Sequence, residues 1–140
     1  MKQKILPYKT GMVFGVFDGL HEGHRHLLNQ ALSRSEKLVV VVAHENVVKA
    51  IKGHPPRFSF EERAEALHSF APHLEVVLGD PVIETWSAFK TYQPDMVFLG
   101  YDQHLLAEKL KEMDIPFVFL ESHQPEKYKS SIVNGKSSQK

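Results

Sequence analysis

The stretch Val13–Leu28, VFGVFDGLHEGHRHLL, decides the fold, because a strand passes into a helix within it. It opens with an apolar run that predicts a buried strand. An Asp-Gly pair then breaks the run, and leucines at helical spacing follow from Gly23 onward. His21 and His24 lie in the turn between the two elements. This turn is therefore a surface loop, a metal site or a catalytic centre.

Along the rest of the chain, short apolar runs alternate with amphipathic segments. The runs predict five strands, Met12–Phe17, Leu38–Ala43, Leu74–Leu78, Met96–Leu99 and Phe117–Leu120. The segments predict helices at Gly23–Ser35, from Ser59 with its capping box to Glu62, at Ile83–Tyr92, and from Asp102 or Gln103 through Met113. This alternation predicts an α/β fold, a Rossmann-like five-stranded parallel sheet with helices on both faces and Leu38–Ala43 in its interior.

The predicted sheet indicates what the histidine turn is for. In open parallel sheets, ligands bind beyond the carboxyl ends of the strands, where the strand order reverses. The turn follows the first strand, and Gly15, Gly19 and Gly23 allow a ligand to approach the backbone closely. The N–H groups of a helix N-terminus attract anions. His21 and His24, three residues apart, are therefore expected to donate to one phosphate and to stabilise negative charge that develops there.

A zinc site is the alternative interpretation of the same turn. His21, His24 and His26 are possible zinc ligands, but no recognisable ligand set or spacing surrounds them. The turn also lacks the Gly-Lys-Ser/Thr of a Walker A loop and the G-x-G-x-x-G of a dinucleotide-binding loop. We therefore favour a phosphate site over a metal site.

Composition narrows the function classes. Lys+Arg and Asp+Glu number 17 each, and a formal net charge of zero argues against a broad nucleic-acid-binding surface. The absence of cysteine excludes disulfides and thiolate metal sites. No apolar run has membrane-spanning length, and residues 1–11 lack the apolar core of a signal peptide. We expect one domain over residues 1–140, with a flexible tail from about residue 134, no membrane partner and a cytoplasmic location.

The segment GVFDGLHEGH resembles the signature G-x-F-D-x-x-H-x-G-H of the cytidylyltransferase-like nucleotidyltransferases. Its fixed positions are matched by Gly15, Phe17, Asp18, His21, Gly23 and His24. The likeness extends from about Met12 to Val133. Family elements that follow in order are a basic segment with Lys49, Lys52 and Arg57, an arginine in the next helix, Arg63, the LGYDQ element from Gly100, and the serine-rich loop YKSSIV.

This resemblance implies nucleotidyl transfer, in which an acceptor phosphate attacks the α-phosphorus of a nucleoside triphosphate and pyrophosphate leaves. It implies that His21, His24 and Lys52 are catalytic. It also implies nucleotide-binding roles for Gly15, Val16, Phe17, Asp18, Gly23, Arg63, Gly100, Tyr101, Asp102, Lys129, Ser130 and Ser131. Mg²⁺ is the implied cofactor, held mainly by the nucleotide without a separate protein metal site.

The sequence departs from the family pattern near its end. The segment ESHQPEKYKSS, which leads into the serine-rich loop, contains no arginine, so Lys127 or Lys129 would have to serve, and the final helix of the family has no counterpart. The LVVVVA strand and LGYDQ element look closest to archaeal-type FAD synthetases, which join FMN to the AMP of ATP. A glycerol-3-phosphate-type cytidylyltransferase, or a nucleotide-binding module without turnover, is the alternative. The resemblance is also compatible with a homodimer.

Overall fold

The computed structural model describes residues 7–82 and 86–120. In this part of the chain the elements are β1 (Tyr8–Gly15), α1 (Glu22–Leu32), β2 (Ser35–Val42), α2 (Glu45–Lys52), α3 (Phe60–Phe70), β3 (Glu75–Leu78), α4 (Ser87–Tyr92), β4 (Met96–Leu99), α5 (His104–Glu112) and β5 (Phe117–Phe119). The strands form one sheet in the order β3-β2-β1-β4-β5, and every neighbouring pair is parallel. The predicted α/β sheet with β2 in its interior is confirmed.

Helices cover both faces of this sheet. Successive strand residues point to opposite faces, so the valine run of β2 contributes to two core layers. Val40 and Val42 pack in the layer that contains Leu28 of α1 and Leu67 of α3. Val39 and Val41 pack in the layer on the other face, with Phe89 of α4 and with Ala107 and Leu110 of α5. Because both faces are covered, the strand is apolar at every position from Leu38 to Val42.

The first strand and helix have different bounds from those predicted. β1 begins at Tyr8, four residues before the predicted start, because Tyr8 pairs with Ser35 of β2. It ends at Gly15 rather than Phe17, which has a left-handed backbone with φ of 51°. Ser35, predicted as the last residue of α1, is the first residue of β2. Strand pairing therefore outweighs the helical pattern at this boundary.

One helix, α2, was not predicted. It has only eight residues and buries just one of them, Val48, although its apolar residues recur at helical spacing. Its ends are set by local contacts, because the His44 side chain accepts the N–H of Asn46 and Gly53 takes a left-handed C-cap with φ of 85°. Of the predicted helix Ile83–Tyr92, residues 83–85 lie outside the described part, and the helix begins at Ser87 because Trp86 is its N-cap with a left-handed backbone.

Gly15 is required where β1 ends, because a side chain there would collide with Phe17. A Cβ atom at Gly15 would lie 2.7 Å from the buried Phe17 ring. We expect Gly15→Ala to lower the free energy of unfolding by about 1–3 kcal/mol, measured by urea denaturation. Gly100→Ala is the control, because its Cβ would meet its nearest neighbour, Asp102 Oδ1, at an ordinary 3.5 Å. Equal stability of the two variants would contradict the close contact.

Candidate active site

The turn after β1 is bent by Phe17. Its left-handed backbone directs the chain away from the strand, while its side chain is almost fully buried. The ring packs against the His24 ring, with centroids 5.2 Å apart. A buried aromatic ring therefore fixes the turn between β1 and α1 and supports one of the two predicted catalytic histidines.

His21 and His24 form a reciprocal cap at the start of α1. His21 Nδ1 accepts the main-chain N–H groups of Gly23 at 3.1 Å and His24 at 3.3 Å. His24 Nδ1 accepts the N–H of His21 at 3.4 Å. The two rings are stacked, with centroids 3.7 Å apart and planes inclined by 18°. The structure thus brings the two histidines together as the sequence predicts.

This cap changes how the helix N-terminus is expected to meet an anion. The sequence suggested that main-chain N–H groups at the start of α1 would be free, but those of His21, Gly23 and His24 donate to imidazoles. Because each Nδ1 accepts a hydrogen bond, each neutral ring carries its hydrogen on Nε2. The imidazoles therefore present N–H donors in place of the capped backbone groups.

The His24 ring is held in its neutral form. Burial lowers the pKa of His24 from 6.5 to about 4, and the neighbouring charges of His21 and Lys52 act in the same direction. The Gly19 carbonyl and the Asp102 carboxylate oppose this shift. These contributions also place Lys52, at the end of α2, and Asp102, after β4, close to the ring. A neutral imidazole remains a hydrogen-bond donor without adding a buried charge.

We expect the His24 ring to titrate near pH 4 in the folded protein. Two-dimensional ¹H–¹⁵N NMR of the imidazole nitrogens will report both this midpoint and the hydrogen on Nε2. The unfolded chain binds this proton first as pH falls, because its pKa is the higher one. The stabilisation from neutral His24 is therefore present above pH 6.5 and lost as pH falls to about 4. A midpoint near 6.5, or a hydrogen on Nδ1, would contradict the capped geometry.

Asp18 connects the turn after β1 to the loop that precedes α3 through hydrogen bonds. Its two carboxylate oxygens accept the main-chain N–H groups of Arg57 at 2.8 Å and Phe58 at 2.9 Å. Burial raises the pKa of Asp18, but these two hydrogen bonds and the charge of Arg57 outweigh it and leave the pKa below its usual value. Asp18 was predicted to bind nucleotide, which stays a prediction. The sequence contained no sign of its contact with residues 57 and 58.

Arg63, also predicted to bind nucleotide, is 2% exposed and lies beneath the site. Its Nη1 donates to the carbonyls of Val16 at 3.0 Å and Ala43 at 2.9 Å, and its Nε donates to Ser59 at 3.3 Å. The Val16 carbonyl follows β1, the Ala43 carbonyl follows β2, and the Ser59 carbonyl precedes α3. Arg63 therefore joins three segments around the carboxyl edge of the sheet, a role that the sequence did not reveal.

The segment after β4 is tied to β1 by Gln103, which was not among the predicted site residues. Its side chain accepts the N–H of Gly100 at 2.9 Å and donates to the carbonyl of Phe14 at 3.0 Å. This connection spans the point between β1 and β4 where the strand order reverses. It holds Gly100, Tyr101 and Asp102 beside the histidine turn, and Tyr101 is exposed there.

The remaining predicted residues differ in what the structure says of them. Lys52 is exposed on the last turn of α2. Lys127, Lys129, Ser130 and Ser131 lie outside the described residues. Within residues 7–82 and 86–120, no three His, Asp or Glu side chains form a group that could hold a metal ion. The zinc interpretation of the histidine turn therefore gains no support from this part of the chain.

A cleft of about 600 Å³ opens along the same edge of the sheet. Gly15 and Val16, directly before the bent turn, form part of its lining. Its apolar walls come from α2, the end of β3, the segment before α4, and α5. We call it the apolar cleft and define it by its wall residues Ile51, Leu78, Val82, Trp86, Leu105 and Leu106. The sequence did not predict it, because these residues are scattered along the chain.

The motif, the parallel sheet and the paired histidines agree with one protein family. The family model described as cytidylyltransferase-like matches residues 12–135, most of the chain. The chain belongs to the cytidylyltransferase-like family. It is a nucleotidyltransferase, and the resemblance carried by GVFDGLHEGH is confirmed.

Curated relatives within this family include two archaeal enzymes. The nucleotidyltransferase is 42% identical over 111 residues to FAD synthase of Thermococcus sibiricus, covering 79% of this chain and 73% of that one. It is 42% identical over 101 residues to FAD synthase of Pyrococcus abyssi, covering 72% of this chain and 68% of that one.

Among solved structures, a lipopolysaccharide core biosynthesis protein of Thermoplasma volcanium is similar, with a TM-score of 0.68 and 28% identity, over 83% of this chain and 98% of that one. Pantoate-beta-alanine ligase of Francisella tularensis, at 16% identity and a TM-score of 0.55, shares the fold alone over 84% of this chain and 60% of that one.

Proposed function

We propose that this nucleotidyltransferase transfers AMP from ATP to FMN, forming FAD and pyrophosphate. The supporting observation is the stacked His21–His24 pair at the carboxyl edge of β1, in a chain that is 42% identical to archaeal FAD synthases. Adenine as the base and FMN as the acceptor come from those relatives. The paired imidazoles supply the chemistry that any such transfer requires.

In the reaction, an oxygen of the FMN phosphate attacks the α-phosphorus of ATP and forms the new P–O bond. The bond from the α-phosphorus to the α–β bridging oxygen breaks, and its electron pair leaves with pyrophosphate. No covalent intermediate with the protein forms. Catalysis then depends on positioning and on donors directed at the growing negative charge. We assign this stabilisation to the Nε2–H groups of His21 and His24, which are already oriented by their capping contacts.

We assign Lys52 and the glycines of the site to the binding of the triphosphate. The charge of Lys52 lowers the pKa of His24, and we assign its ammonium group to phosphate charge beside that ring. A divalent cation, with Mg²⁺ as the proposed ion, would neutralise phosphate charge when bound. The described residues provide no three-residue acidic or histidine cluster, which fits an ion held mainly by the nucleotide and water. Ser130 and Ser131 remain predicted phosphate ligands.

We propose ATP and FMN as the partners of this protein, and we propose no nucleic-acid or membrane partner. Among the described residues, no helix has both the length and the apolar character needed to span a bilayer. A single domain, a homodimer and a cytoplasmic location stay predictions.

Pyrophosphate release tests the proposed function. The wild-type chain is incubated with ATP or CTP, each paired with FMN, glycerol 3-phosphate or phosphopantetheine, and FAD is quantified by chromatography. We expect release with ATP and FMN, with one FAD formed for each pyrophosphate. Release only with CTP and glycerol 3-phosphate would overturn the FMN assignment. ATP binding without release for any pair would favour the nucleotide-binding module instead.

A further inference from the structure

The apolar cleft collects exposed apolar side chains from distant parts of the chain. Ile51 is 69% exposed, Val82 61% and Leu105 86%, and Leu78 is also exposed. All four line the cleft, although they belong to α2, the segment after β3, α5 and the end of β3. Apolar surface gathered in this way is unfavourable in water and marks a binding site.

The polar groups around the cleft already have partners. Glu108 lies 3.8 Å from the ammonium of Lys111, and Glu112 lies 3.6 Å from that of Lys109. Asp80 accepts both the N–H and the hydroxyl of Ser87. Because these charged groups are paired with one another, they are not available to attract a phosphate. The part of a ligand that enters the cleft therefore gains most binding free energy if it is apolar and uncharged.

The main chain at the inner end of the cleft is paired as well. The Gly15 carbonyl accepts the N–H of Ala43 at 2.9 Å, and the Val42 carbonyl accepts that of Gly79 at 2.8 Å. The Val16 carbonyl accepts from Arg63. The floor therefore offers mainly apolar contact rather than hydrogen bonds, which suits an uncharged ring.

The position of the cleft relates it to the histidine pair. The point where the strand order reverses lies between β1 and β4, and the histidine turn follows β1 at this point. The cleft extends from Gly15 and Val16 to the end of β3, and α5, which follows β4, forms its other wall. Gly15 and Val16, which line the cleft, directly precede the turn that carries the histidine pair.

We propose that the apolar cleft holds the three-ring flavin system of the acceptor, with Ile51, Val82 and Leu105 setting the preference for it. This assignment rests on the proposed function and adds a ring site to it. A flavin has broad, uncharged aromatic faces, and Trp86 provides an aromatic wall. Glycerol 3-phosphate has hydroxyl groups in place of such faces and would leave the walls in contact with water. The cleft thus selects a flavin phosphate over a small polar phosphate.

The test uses two exposed wall residues whose replacement spares the core. FMN binding to the full chain is followed by flavin fluorescence anisotropy for wild type, Ile51→Glu and Leu105→Glu. We expect each variant to bind FMN at least about tenfold more weakly, because a carboxylate must be desolvated against the ring. The KM for FMN rises by a similar factor, whereas ATP affinity and kcat at saturating FMN change little. Met113→Glu, at an exposed residue outside the cleft lining, is the matched control and keeps wild-type FMN binding.

The outcomes separate this inference from the proposed function. FAD formation by the wild type with unchanged FMN binding and KM in both variants overturns the ring site and leaves the function standing. Loss of FMN binding in the variants of a wild type that forms no FAD supports the ring site and overturns the function. A wild type that does not bind FMN overturns both. Concentration-dependent dimerisation abolished by Leu105→Glu, with FMN binding unchanged, assigns the cleft to self-association and overturns the ring site.

Discussion

Replacing His24 with alanine is expected to lower kcat for FAD formation about 10²–10³-fold, which corresponds to the loss of about 3–4 kcal/mol of transition-state stabilisation. The neutral His24 ring carries its hydrogen on Nε2, because its Nδ1 accepts the N–H of His21. In the proposed reaction, this donor is assigned to the charge that grows as the α–β bond breaks. ATP affinity, measured by isothermal titration calorimetry, is expected to change much less, because the triphosphate charge is already present in the ground state.

His24 also has a structural role, so the alanine variant needs controls. His24→Gln retains a side-chain acceptor for the His21 N–H, as in an ordinary capping box, but lacks the imidazole donor. We expect it to fold normally and remain slow, whereas His26→Ala in the same helix turns over normally. Recovery of kcat in His24→Gln would show that turnover depends on the capping hydrogen bond and not on the imidazole donor. Lys52→Ala should instead weaken ATP binding, because Lys52 meets ground-state charge.

Arg63→Met is expected to lower the free energy of unfolding by about 3–5 kcal/mol, because a buried hydrogen-bond donor set is removed. Methionine replaces the apolar stem but leaves the carbonyls of Val16, Ala43 and Ser59 without the guanidinium. These carbonyls belong to three segments around the carboxyl edge, so the site is expected to lose order along with stability. Urea denaturation monitored by circular dichroism measures the change.

Arg57→Met is the matched control for this variant. The Arg57 side chain is 72% exposed. The substitution removes its Nη2 hydrogen bond to the Asp18 carbonyl at 3.0 Å, whereas the main-chain N–H that Arg57 donates to the Asp18 carboxylate survives. We expect a change within about 0.5 kcal/mol for this surface position. If Arg63→Met were as stable as Arg57→Met, the buried contacts of Arg63 would contribute little, and its predicted contact with nucleotide would become its main role.

Local patterns were enough to predict most elements of the fold. The valine run of β2 is apolar on both faces, so this run alone was enough to predict an interior parallel strand. The capping box of α3 was visible as Ser59 and Glu62 and is present in the structure. In contrast, α2 was missed although its apolar residues recur at helical spacing, because it is only eight residues long and buries a single residue, Val48.

By itself, the sequence determined the α/β class, the parallel sheet, the family motif and the neighbourhood of His21 and His24, since each is recorded in residues close together along the chain. Only the tertiary structure decided what surrounds them. Arg63 reaches Val16 across 47 residues, and Gln103 reaches Phe14 across 89. The apolar cleft likewise gathers Ile51 and Leu105 from separate helices. Such contacts depend on how strands are ordered in space, and hydrophobic periodicity, which is a local property, carries no information on that order.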